Sequence, residues 1–67
     1  MSPDRVDVSW DATTAQWLVR IETGEEVIRR HCNEPKSSDD GSLRQAAQKI
    51  VQDEGYEADI SRITVQR

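Results

Sequence analysis

His31 and Cys32 are the residues to weigh first, being the chain's single histidine and single cysteine and standing side by side. Together they could begin a metal site or a thiolate–imidazole nucleophile, but neither chemistry finds its other parts. A structural zinc centre needs about four ligands at chelating spacings, and the sequence offers no second His or Cys. Neighbours on a strand point to opposite faces, so the side-chain contact a Cys–His nucleophile requires is not available locally. Cys32 reads as an intracellular thiol of ordinary reactivity, and His31 as a solvated strand-end residue.

The carboxylates give no catalytic constellation either. None of the 13 Asp and Glu residues sits in an apolar run that would raise its pKa for acid–base work. Asp39-Asp40-Gly41 resembles a fragment of a calcium loop but lacks the alternating ligands and the closing Glu. Solvation and complementarity to a helix dipole explain it better. The 3 glycines, Gly24, Gly41 and Gly55, have turn or cap roles and form no phosphate-binding loop. Ser37-Ser38-Asp39-Asp40 has the composition of a phosphorylated acidic loop at a helix start.

The basic residues remain. Arg20, Arg29, Arg30 and His31 form the densest positive group, yet the chain carries 9 Lys plus Arg against 13 Asp plus Glu, a net charge of −4. Nucleic-acid binding rests on clustered, unopposed positive charge, so this balance disfavours it, and it disfavours an anionic membrane surface equally. No apolar run follows Met1, so neither a signal peptide nor a transmembrane segment is expected. The lone cysteine offers no intrachain disulfide, and a reducing cytoplasm is the expected compartment.

The elements that position these residues follow from periodicity. The chain has 67 residues, 34% apolar and 33% charged. It is expected to be one domain spanning residues 1–67, which buries roughly 60% of its unfolded surface. Val6, Val8 and Trp10 alternate with polar residues, predicting a strand over 5–10. Trp17, Val19 and Ile21 alternate with Leu18, Arg20 and Glu22, predicting a second over 16–22. A third spans 27–32, and its run Arg29-Arg30-His31 suits a sheet edge. A two-residue type II′ turn at Gly24-Glu25 would set Ile21 opposite Ile28, Trp17 opposite Cys32 and Arg20 opposite Arg29.

Residues 33–41 form a flexible polar loop. A helix over about 42–54 follows, with Ser42 as N-cap and Gln45 completing a capping box. Leu43, Ala46, Ala47, Ile50 and Val51 form its apolar stripe, and Gly55 ends it. Its outer side is amide-rich, with Gln45, Gln48, Lys49 and Gln52. A short last strand spans about 61–66, with Ile60 in the connection before it. The expected fold class is α+β: a two-layer sandwich with a three-stranded antiparallel meander, one helix and a final strand.

The strand bearing Gln16-Trp17-Leu18-Val19-Arg20-Ile21, and the helix Leu43 to Glu54 followed by Ile60 to Val65, give the order β-β-β-α-β. In this order the chain resembles the HicB-like small domains, a partial double-stranded-RNA-binding-domain architecture, over roughly residues 5–66. The resemblance implies a non-catalytic, partner-binding and sometimes dimeric module. HicB-like antitoxins usually carry an added DNA-binding segment, which these residues do not contain, and no functional residue is carried over.

The functional expectation is therefore a small protein-interaction module, not an enzyme, with no cofactor and no metal. Its partner would be another protein or a second copy of itself. In the preferred register Leu18, Arg20, Val27 and Arg29 share the sheet face turned away from the helix, and they are the expected partner surface. The alternative is a nucleic-acid-binding accessory domain using Arg20, Arg29 and Arg30.

Overall fold

The alternation of β-branched and aromatic residues with polar ones produces strands where the side chains can divide between an inner and an outer face. A computed structural model describes residues 2–66. The strands are β1 (Arg5–Asp11), β2 (Gln16–Glu22) and β3 (Val27–Cys32), followed by helix α1 (Asp40–Asp53). A single 3₁₀ turn over Ile60–Arg62 leads into β4 (Ile63–Gln66). The four strands make one sheet in the order β3-β2-β1-β4. β1 is antiparallel to β2 and parallel to β4. Parallel neighbours need a long crossover, and α1 supplies it while covering one face of the sheet.

Val8, Val19, Ile21, Ala47 and Val51 have no exposed surface, and Leu43 and Ile63 have 1%. Together with Val6, Trp17 and Cys32 they form one continuous core between sheet and helix. Fully burying a side chain of this size contributes roughly 1.5–3 kcal/mol, so this small set carries most of the folding free energy. Trp10 and Trp17 sit opposite each other on β1 and β2. Their rings meet edge to face, with centroids 5.3 Å apart. The indole Nε1–H of Trp17 donates to the Pro35 carbonyl at 2.9 Å, and Lys36 Nζ lies 5.4 Å from the centre of the Trp10 ring. Two contacts thus tie the segment after β3 to one end of the sheet.

The β2–β3 register is the expected one: Ile21 faces Ile28, Trp17 faces Cys32 and Arg20 faces Arg29. The turn type differs. Among the described residues the positive-φ ones are Ala15 and Gly55, so Gly24 does not take the conformation a type II′ turn demands. Thr23 closes the turn instead, its backbone N–H at 2.9 Å and its hydroxyl at 3.1 Å from the Glu26 carbonyl.

The helix starts two residues earlier than expected. Asp39 is the N-cap, with extended backbone angles, and its side chain accepts from the Ser42 N–H at 2.8 Å. Ser42 therefore lies within the first turn and is not the cap. An Asp three residues upstream is an equally good cap, and its charge favours the positive end of the dipole. At the other end Gly55 has φ 88°. Its N–H donates to Gln52, and the Tyr56 N–H reaches back to Val51. That pair of bonds is the Schellman arrangement a C′ glycine makes possible.

Two substitutions check these assignments. Asp39→Ala should cost about 1 kcal/mol, whereas Ser42→Ala should stay within about 0.5 kcal/mol, both read from urea midpoints. Ala15 has φ 54°, a left-handed conformation that costs an L-residue roughly 1–2 kcal/mol. Ala15→Gly should relieve most of that and raise the melting temperature by several degrees. An unchanged or lower value would show that the turn holds no such strain.

Candidate interaction surface

One face of the sheet has no helix over it. Side-chain alternation sends Arg5, Asp7, Ser9 and Asp11 of β1 to this face, and the registers align them with β2 and β3. One row across the sheet reads Arg29, Arg20, Asp7 and Thr64. The next reads His31, Leu18, Ser9 and Gln66. A third reads Val27, Glu22 and Arg5. The four expected surface residues, Leu18, Arg20, Val27 and Arg29, are thus brought together at the β2–β3 end of this face.

The charges on the face are largely answered within it. Arg5 Nε lies 3.1 Å from Asp7, Arg20 pairs with Glu22 at 2.8 Å and His31 Nε2 is 3.3 Å from Asp11 Oδ2. The Arg20–Glu22 and His31–Asp11 pairs are exposed or half-exposed, so each contributes little to stability, while in the Arg5–Asp7 pair the arginine is exposed and the carboxylate buried. The effect of all three is to neutralise the face. Arg29 stands outside the pattern: it is exposed and has no ion-pair partner among the described residues. Beside it, Arg20 Nε is buried and makes no hydrogen bond. Val27, two residues from Arg29, is 38% exposed, the large hydrophobic side chain most open to solvent among the described residues.

Arg30 does not join this group. Its guanidinium lies on the other side of β3, paired with Glu54 at the end of α1. The trio Arg20, Arg29 and Arg30 is therefore split between two faces. Asp7 is the residue that sequence reasoning passed over. It is 7% exposed, the one buried charged residue in the described structure, because β1 is central and Arg5 closes over it. Only the strand order reveals this.

The chemical candidates resolve plainly. Cys32 is buried. Loss of solvation, with a smaller contribution from nearby Glu34, pushes its thiol above the ordinary value, which disfavours the reactive thiolate. His31 points to the open face, away from it. No cluster of three or more His, Cys, Asp or Glu suited to a metal occurs among the described residues. No helix among them is long and apolar enough to cross a membrane.

A second feature borders the outer side of β3. A groove of about 700 Å³ runs between that strand's end and α1, lined by His31, Cys32, Ala46, Lys49 and Ile50, with Glu34 at one end. Ala46 and Ile50 belong to the expected apolar stripe, yet only Leu43, Ala47 and Val51 of it are buried in the core. The other two remain half-exposed along the groove. Gln48, expected on the outer side, donates to the Ala58 carbonyl at 3.1 Å and holds the exit of the helix.

No protein-family model matches the chain, and no curated protein and no solved structure matches it.

Two carboxylates define an acid-side test. The His31 imidazole, and then the Thr13 backbone N–H, hold Asp11 below the usual carboxylate range. The backbone and hydroxyl of Ser61 do the same for Asp59. A pKa lowered by folding contributes stability that is fully present above the unfolded value, near ~3.9, and is lost as pH falls through the folded value. Thermal midpoints should therefore hold down to about pH 4–5 and fall below it. The double variant Asp11→Asn, Asp59→Asn should show a shallower acid limb by circular dichroism. An identical limb would mean that these contacts do not persist in solution.

Proposed function

We propose that the protein is a small non-catalytic interaction module that binds another protein through the β2–β3 end of its open sheet face. The observation that carries this reading is the grouping of Arg29, Val27 and the under-bonded Arg20 on a face that is otherwise neutralised. A lone exposed cation next to an exposed aliphatic side chain is the composition of an interface anchor with its polar neighbour. The likeness to HicB-like domains in element order points the same way.

The ion pairs on the face weigh against the nucleic-acid reading. Arg5, Arg20 and His31 there meet three carboxylates, Asp7, Glu22 and Asp11, so phosphates would find little net positive charge to displace their counterions. With Arg30 on the opposite face, the positive cluster that reading requires is divided.

The test is affinity capture with the full chain set beside the double variant Val27→Asp, Arg29→Glu. Both positions are exposed, so the variant should keep its circular dichroism spectrum and melting temperature. The reading expects one or more proteins retained by the wild type and lost by the variant. Retention that ignores the variant overturns it, as does an absence of any retained protein combined with a monomeric mass across a dilution series.

A further inference from the structure

β3 is an edge strand, and the registers say which of its backbone groups are unpaired. The Thr23–Glu26 bond marks that pair as hydrogen-bonded. In an antiparallel ladder bonded and non-bonded pairs alternate. Arg30 and Ile28 therefore bond to Val19 and Ile21 of β2, while Val27, Arg29 and His31 turn their N–H and C=O groups outward. Beside this edge lies the groove lined by Ala46, Lys49 and Ile50 of α1. An edge strand flanked by a helix groove is the geometry of peptide capture by strand addition. Main-chain bonds supply affinity there, and pockets for alternate side chains supply specificity.

We infer that β3 accepts an extended acidic peptide of a partner protein as a fifth strand, its acidic side chains beside Arg29 and its alternate, apolar side chains in the groove over Ala46 and Ile50. This rests on the interaction-module reading and names the partner's chemistry. The charge argument selects the occupant. The edge carries Arg29 and Arg30, with His31 next to them, and Lys49 rims the groove without an ion-pair partner among the described residues. Arg30 is held by Glu54 and His31 by Asp11, which leaves Arg29 and Lys49 as the cations to be met. Glu34 lies past the end of β3, so it sets the peptide's carboxylates towards the Val27–Arg29 end.

The same charges oppose a second copy of the chain at this edge. An antiparallel β3–β3 contact would set the Arg29-Arg30 run of each copy against that of the other, and like charges directly opposite are destabilising. Pairing with the β4 edge of another copy would offer Thr64, Val65 and Gln66, with no carboxylate for Arg29, over a strand of only 4 residues.

The probe is a blocked six-residue peptide of alternating glutamate and valine, titrated into the full ¹⁵N-labelled chain. The controls are its lysine–valine counterpart and a version N-methylated at alternate positions on the pairing edge. Shift changes should concentrate at Val27–Cys32 and at Ala46, Lys49 and Ile50, and the amides of Val27, Arg29 and His31 should gain exchange protection. N-methylation should weaken binding by about tenfold or more, and Arg29→Glu by a similar factor. Equal binding of the lysine peptide overturns the inference. So does indifference to N-methylation, a shift pattern centred on β1, or no binding at millimolar peptide. If the probe fails while capture still depends on Val27 and Arg29, the open face stands as the interface and the edge does not. If capture ignores those residues, both readings fall.

Discussion

The parallel pairing of β1 with β4 is the contact on which the arrangement depends. It places β1 between two neighbours, so Val6 and Val8 are enclosed from both sides as well as from the helix. It also dictates the crossover: the chain must travel from one end of the sheet to the other before β4 can lie alongside β1. α1 spans that distance and turns Leu43, Ala47 and Val51 onto the sheet as it does so. Asp7 is buried in part for the same reason, since a central strand has neighbours on both edges, and Arg5 covers its carboxylate on the open face.

The consequence for the surface is an asymmetry. One layer of helix cannot cover both sides of four strands, so one face stays open, and it carries mostly internally paired charges. The two outer strands differ as well. β4 is short and neutral, while β3 is longer, cationic and bordered by half-buried Ala46 and Ile50. A chain of net charge −4 has thus gathered arginines, with His31, on one of its two free edges. Electrostatic complementarity of this kind selects partners and speeds their encounter more than it adds raw affinity.

Much of this could be read from residue order. Strict alternation in Gln16–Glu22 located β2, and Gly24 with the apolar phase of β3 set the hairpin register that joins Leu18, Arg20, Val27 and Arg29. The helix was legible from its stripe and from Gly55. Its start was not, because Asp39 and Ser42 are both competent caps and local chemistry alone does not choose between them. The position of β4 was hidden for a different reason. Pairing between residues at opposite ends of a chain leaves no periodic trace, so the burial of Asp7 could not be seen, whereas the run Arg29-Arg30-His31 did mark β3 as an edge strand. The groove was hidden too, because Ala46 and Ile50 repeat with the same spacing as residues that are buried.

The late arrival of β4 has a meaning for how the molecule is made. Val6 and Ile63 are partners at nearly opposite ends of the described chain. At roughly 5–20 residues per second, a ribosome takes several seconds to supply the second after the first. Through that interval the β1–β3 meander can form, but the free side of β1 exposes a row of backbone donors and acceptors with Val6 and Val8 beside them. The nascent chain is most open to misassembly there, on a strand whose middle residues, Val6 to Val8, the finished protein buries. The protection of that strand is therefore a matter of timing as well as of fold.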